Sequence, residues 1–478
     1  MKKLLYIALL SAITTSCVIV TKQPVTENNN KASEASAPKN IIMIVGDGMG
    51  PAYTTAYRYF ADNPNTQAIE ETVFDRHFVG MASTFPAPVS GYITDSAAAA
   101  TALSAGIKTY NGAVGVDNNK QPVETVLERA KKLGKKTGVV VTSQVNHATP
   151  ASYLSHNEYR RNYNAIADSY IDDGIKADVI LGGGWKYFIR EDRNLVDEFV
   201  NSGFQYMDKY EQLDNVDSNK PILGLFGNKG LPWSLDDSNK YRLSQLTKVA
   251  TKHLENKSGY FMLVEASQVD WAGHGRDIAS AMAEMDDLAK TLEYLERYVE
   301  QNPDTLVVLT ADHSTGGLSM GRKTGRTNKA INSDYLWQPE YIRQIKSSPY
   351  EISKQFVKQT LTSSQLSKLL GFTISSEDYD SIKKAKLSGD KVLADYLALS
   401  KEEQKKKWKP NPANNVEVAL KSIIDTKTNT GWGGVSRSAT HTSVDVQVFA
   451  LGSNKDKFKG LQDNTDIAKK IFTLLNKN

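Results

Sequence analysis

A doubly wound α/β sandwich around a mostly parallel central sheet is the fold class this sequence predicts. Short apolar, β-branched runs recur along the chain, and helical patterns separate them. Continuous apolar runs suit strands buried on both faces, as parallel sheets require. Their alternation with helices suits crossover connections. The expected strands are IIMIVG (41–46), TGVVVTS (137–143), DVILGG (178–183), YFMLVEA (260–266), TLVVLTA (305–311) and VDVQVFALG (444–452). VETVLERAKKLG (123–134) and ASAMAEMDDLAKTLEYLERYVEQ (279–301) read as helices. From about Gly321 to Thr430 the rhythm breaks. This stretch is polar and lysine-rich, with helical segments (ISKQFVKQTLTSSQLSKLL, 352–370) and no obvious central strand. It reads as a large surface insertion, of the kind that carries lid or partner roles. A smaller loop-rich insertion is expected near 185–245.

The bulk composition narrows the function classes. Of 478 residues, 40% are hydrophobic and 23% charged, which is ordinary for a globular protein. With 58 basic against 54 acidic residues and no long basic tract, no nucleic-acid-binding role is expected. The N-terminus reads as a targeting segment (1–17). Lys2 and Lys3 precede an apolar run, LLYIALLSAIT (4–14), too short to span a bilayer comfortably. The run leads to Cys17, the only cysteine in the chain. This pattern resembles a bacterial lipoprotein signal, in which that cysteine is acylated, although Thr14 stands where leucine is usual. A plain cleaved secretory signal is the other reading. On either, the protein is exported, to the periplasm or as a membrane-anchored lipoprotein of a bacterium. Polar residues 18–38 read as a flexible tether, and globular sequence begins at Lys39. A single cysteine allows no internal disulfide, so stability rests on the core and on metals.

Ligands of open α/β sheets bind at the C-terminal ends of the strands. The chemistry-bearing residues fall there. IIMIVG runs into Asp47. YFMLVEA holds Glu265, and Asp270 and His274 follow. TLVVLTA runs into Asp312 and His313, and TGVVVTS is followed by His147 and Thr149. His441 is the exception, lying before the 444–452 strand rather than after one. Carboxylates with imidazoles suit zinc, and an oxygen-rich set suits magnesium. Each piece alone is an ordinary turn or surface residue. Four of the seven histidines in these segments favour a metal cluster.

YITDSAAAAT (92–101) places Asp95 and Ser96 before four alanines, the best helix formers. Taken alone, this is a plain N-cap. A helix N-terminus also offers free N–H groups and a positive dipole end, which favour phosphate. A serine there, beside a metal cluster, suggests phosphoryl transfer.

VSGYITDSAAAATALSAGIKTYNGAVGVD (89–117), together with GDGMG, HATPA, EASQVDWAGH, TADHSTGG and a late THT, resembles the alkaline phosphatase family from about Asn40 to the C-terminus. Through NHATPASY and SQVDWAGHG it is most similar to the cold-active Antarctic bacterial type. The resemblance implies a hydrolase of phosphate monoesters with Ser96 as nucleophile, forming a phosphoserine. It implies two zinc ions, one held by Asp270, His274 and His441, the other by Asp47, Asp312, His313 and Ser96. A third, magnesium-type site would be completed by Asp47, Thr149 and Glu265. Arg160 matches the phosphate-binding arginine, with Arg161 directly after it. A homodimer is also implied. Two departures from the enterobacterial pattern matter. His147 replaces an aspartate and can itself ligate the third metal, which puts magnesium in question. Trp271 replaces a lysine, which removes a cation near the phosphate. The rival readings are a phosphodiesterase or sulfatase of the same superfamily, and a non-catalytic metal- or phosphate-binding surface lipoprotein. The C/S-x-P-x-R motif of sulfatases is absent from the sequence.

Overall fold

The computed structural model describes residues 36–321, 336–433 and 440–477. The expected signal segment, nearly all of the tether and part of the large insertion lie outside the described residues. Among the described residues the strands are, in chain order, β1 (Asn40–Gly46), β2 (Phe78–Ser83), β3 (Lys136–Gln144), β4 (Val179–Gly183), β5 (Gln205–Met207), β6 (Ile222–Leu225) and β7 (Tyr260–Ala266). They continue with β8 (Thr305–Thr310), β9 (Ser314–Thr315), β10 (Ser319–Met320), β11 (Thr430–Gly431), β12 (His441–Thr442), β13 (Val446–Gly452) and β14 (Gly460–Asp463).

Ten of these form one sheet in the order β14-β2-β13-β8-β1-β7-β3-β4-β6-β5. The two pairings made by β13, to β8 and to β2, are antiparallel; the rest are parallel. Every residue of β1, β7 and β8 is buried. That matches their mainly apolar sequence, since helices cover both faces of a parallel sheet. The chain is thus an α/β fold with a large, mostly parallel central sheet.

The six expected strands form close to their expected bounds. The 185–245 segment differs from expectation. It is not only loop, because β5 and β6 extend the sheet at its far edge. Each is three or four residues long, too short for a periodic signal. β2 and β14 were also silent in the sequence. Both are partly exposed and carry glycines, which weakens strand propensity.

The expected helix 123–134 is Val126–Lys132, started by a capping box between Thr125 and Glu128. The expected 352–370 helix is two, Pro349–Lys358 and Ser363–Leu370. Thr362 breaks it by capping the second segment with its own side chain. The described part of the large insertion is otherwise helical, with longer helices Ser376–Leu397 and Pro412–Thr428.

Candidate metal centre and nucleophile

The site lies where β8, β1, β7 and β3, four neighbours in the sheet, end. Asp47 follows β1, Asp312 and His313 follow β8, and Glu265 is the penultimate residue of β7. His147 caps the helix Ala148–Leu154 that follows β3, and Thr149 lies in its first turn. Asp270 and His274 share the helix Gln268–Gly275, one turn apart and so on one face. His441 no longer stands as an exception. Because β13 runs antiparallel, its entry lies at the edge where the parallel strands exit. There β12 pairs with β9, placing His441 opposite Thr315.

Three groups of ligand atoms converge: Asp270, His313 and His441; Asp47, Asp312 and His313; and Asp47, His147 and Glu265. Within each, the candidate ligand atoms lie within 4.8 Å of one another. His274 completes the first neighbourhood. Its Nε2 is 3.0 Å from Nε2 of His441 and 3.4 Å from Asp270. Nδ1 of His441 lies 2.9 Å from the Thr94 carbonyl. A ring N–H donated there leaves Nε2 as a lone pair aimed at the other imidazole. Nε2 of His274 can donate to that lone pair, and the same two nitrogens are placed to share a cation instead.

The chemistry of the donor set makes the same point. Both carboxylate oxygens of Asp47, Oε1 of Glu265, Oγ1 of Thr149 and Nδ1 of His147 are buried without a hydrogen-bond partner. Each such group costs about 1–3 kcal/mol when left unsatisfied. Bound divalent cations would remove that cost, so these residues fit the metals the family implies.

The electrostatics follow from crowding acids in a dry place. Burial pushes Asp47 well above the usual carboxylate range, and the charges of Asp312, Asp270 and Glu265 push it further. Burial, helped by the Asp312 charge and opposed by the hydroxyls of Ser267, Thr149 and Ser143, takes Glu265 up to about 7. Burial also acts against the Asp312 anion. His313, 3.0 Å away, and the Gly48 N–H nevertheless hold its carboxyl below the usual range. Burial, then the neighbouring Arg160, pushes His147 down to about 3. Burial and His313 take His441 down to about 4. Neutral imidazoles are the form that binds metals.

Gly48 makes the close approach possible. Its φ is +74°, and a Cβ there would lie 2.7 Å from Cα of Asp270. Only glycine serves both needs.

Ser96 opens the helix Ser96–Ala105, and residues 96–104 are all buried. That explains the alanines. A helix enclosed on every side must be apolar all round, and small residues let it pack against the helices Ala148–Leu154 and Asn464–Leu475. Oγ of Ser96 lies 3.1 Å from Nε2 of His313. Asp95 does cap the helix, accepting from the Ala98 N–H. It also accepts from Nη1 of Arg160 at 2.9 Å and from the Gly112 N–H. The plain cap therefore also fixes Arg160 beside Ser96. Asp95, Asn111, Arg160, Trp271 and the His274–His441 pair line one cavity of about 450 Å³ that opens onto Ser96. Arg161 borders the same cavity but is exposed.

Sequence reasoning missed Thr315. Its Oγ1 donates to Asp270 at 2.5 Å and lies 3.1 Å from Nδ1 of His313. It therefore orients one residue from each of two ligand groups. It also missed Tyr163, whose ring stacks on His147 at 6.4 Å. Thr315 had a faint signal, two residues after His313 and so on the same side of a strand; Tyr163 had none.

The comparisons with known proteins bear on the family and the fold. The alkaline phosphatase family model matches residues 38–477. Alkaline phosphatase 3 of Bacillus subtilis (strain 168) is 40% identical over 100% of this chain and 98% of its own. A crystal structure of the cold-active alkaline phosphatase from a psychrophilic Shewanella sp. is 47% identical. It covers 91% of this chain and 99% of its own, with a TM-score of 0.80. The alkaline phosphatase of the Antarctic bacterium TAB5 is 22% identical, with a TM-score of 0.65 over 93% of this chain and 99% of its own. That last likeness speaks to the fold alone. The match in sequence spans nearly every described residue, insertions included, and on that ground this chain belongs to the alkaline phosphatase family.

Proposed function

We propose that this chain hydrolyses phosphate monoesters to alcohol and inorganic phosphate through a phosphoserine at Ser96. The observation that carries the reading is the buried Ser96 hydroxyl, at a helix N-terminus, beside Arg160 held by Asp95. Asp270, His274 and His441 would hold one zinc, and Asp47, Asp312, His313 and Ser96 the other. Asp47, Thr149 and Glu265, with His147, would hold a third ion. When bound, such ions lower the pKa of an attacking oxygen and stabilise a departing one.

The chain's own residues do the rest. Arg160 receives two phosphate oxygens in its planar fork. Asp95 sets the position of that fork. The amide end of the Ser96 helix faces the same charge. Ser96 Oγ bonds to phosphorus as the bond to the alcohol oxygen breaks. Water then attacks phosphorus, Ser96 Oγ leaves, and inorganic phosphate is released. Acid-quenching the enzyme during turnover should leave one phosphoryl group on the peptide that contains Ser96. Mass spectrometry that finds the peptide bare, or the group on another residue, would refute the intermediate.

Trp271 sets how the product is held. With an indole rather than an ammonium at the cavity wall, phosphate meets one cation fewer. Trp271→Lys is expected to tighten competitive inhibition by inorganic phosphate about fivefold, the scale of one partly solvated charge contact. Unchanged inhibition would remove Trp271 from product release.

Export, acylation at Cys17 and homodimerisation complete the proposal. They rest on the signal-like N-terminus and the family resemblance. Val89, Tyr92 and Ile93 are exposed in the segment before Ser96, apolar side chains of the kind a second copy would cover. Light scattering on detergent-extracted protein is expected to give twice the chain mass, and intact mass a lipid adduct at the new N-terminus. A monomer, or a mature chain starting elsewhere, would overturn the respective part.

A further inference from the structure

The two segments that interrupt the α/β rhythm meet each other. The Asp236 carboxylate, from the 185–245 segment, accepts from the Ser347 hydroxyl and the Ser348 N–H, each at 2.8 Å. Ser348 caps the insertion helix Pro349–Lys358. Beside this junction lies a second cavity, of about 580 Å³. Its walls are aromatic: Trp185, Phe226 and Trp233 from one segment, Tyr350 from the other, and Trp271. Trp271 lines the catalytic cavity as well, so its indole is a wall common to both. Gly230 makes room for that indole, since a Cβ there would lie 2.6 Å from its Cζ3.

Several of the polar groups around this cavity are already engaged. Gln268 donates to the carbonyls of Thr142 and Leu231 and accepts from Arg242. Trp185 Nε1 donates to the Leu225 carbonyl. Glu351 and Lys354 at the rim pair with each other at 2.8 Å. The aromatic rings supply most of the apolar wall, with Lys354 Nζ 5.0 Å from the Tyr350 ring centre, in a volume typical of small-molecule sites.

We propose that this second cavity receives the alcohol part of the substrate when that part is a flat aromatic ring, with Trp271 guiding it from the phosphoryl site. The proposal rests on phosphomonoester hydrolysis at Ser96. It assigns both insertions to one task, the selection of leaving groups. Ring–ring contacts of this kind each change affinity about two- to tenfold.

The test compares 2-naphthylmethyl phosphate with propyl phosphate. Their alcohols are similar leaving groups, so the ratio of kcat/KM reports recognition of the ring. The wild-type ratio is expected to exceed about ten, and Tyr350→Ala and Trp233→Ala should each lower it about three- to tenfold. Trp233→Phe should restore most of the loss. Thermal melts establish that the variants are folded, and Tyr350, at the exposed rim, carries little folding risk. A wild-type ratio near one, or a ratio unchanged in both folded variants, would overturn the proposal. Failure to hydrolyse either ester would instead refute the hydrolytic reading itself.

Discussion

Replacing Ser96 with alanine is expected to cut p-nitrophenyl phosphate hydrolysis at alkaline pH by roughly 10³- to 10⁶-fold, the scale on which removal of a nucleophile acts. The substitution is clean for structural reasons. Asp95, not Ser96, caps the helix, so the cap survives. Alanine is the best helix former and already fills the next four positions. The buried site loses one oxygen and creates no clash. A fall in activity with an unchanged melting temperature therefore reports chemistry. Activity within tenfold of wild type would mean that water attacks phosphorus directly and that no phosphoserine forms. A metal-loaded wild type inactive on this ester would move the reading to diesters, sulfate esters or simple binding.

The second large effect is on stability. Stripping metals with a chelator at pH 8.5 is expected to lower the melting temperature by on the order of 10 °C, since ligands bound far above their Kd each stabilise the fold by several kcal/mol. The loss should deepen as pH rises. Glu265, with a folded pKa of about 7, and Asp47 both titrate above their unfolded values. Such groups favour folding below the unfolded pKa, and the benefit is lost as pH rises through the folded one. His313 is also raised. Burial opposes its charge, but Asp312 outweighs it, and its contribution is lost in the same direction. His147 and His441 are shifted the other way, to about 3 and 4, so their pH dependence falls below about 6.5. Above that pH the raised groups act alone among the residues of the site; elsewhere Lys108, Lys135 and Lys470, lowered by burial, work the other way only toward the lysine range. Melting curves of the chelated protein between pH 6.5 and 9 should therefore fall steadily, and curves of the metal-loaded protein should stay flatter. A chelated protein whose stability rises over this range would contradict the crowded-acid account of the site.

The central sheet was legible because burial on both faces leaves an unambiguous mark. β1, β7 and β8 read as mainly apolar runs, and each carries or is soon followed by an acid that reaches the site: Asp47, Glu265 and Asp312. β5 and β6 were not legible, since three or four residues carry no period. His441 was legible as a candidate and illegible as a position. Nothing local reveals that the strand after it runs antiparallel, and that direction is what brings it to the other ligands. Asp95 shows the opposite limit. Its capping role is written in its neighbours, whereas its hold on Arg160 depends on a loop folding back across the nucleophile helix. Tyr163 acts only through such long-range packing, and Thr315 through its reach to Asp270 as well as to nearby His313.

The order of the sheet also fixes when the molecule becomes whole. β2 is among the first strands to be made, yet its neighbours in the sheet are β13 and β14, among the last. Until the final segment arrives, β2 has no partner in the sheet, and the cluster begun by Asp47 lacks His441. A ribosome that stops short thus leaves both an open edge and an incomplete centre. Closure of the sheet and assembly of the candidate ligand cluster therefore wait on the same late segment.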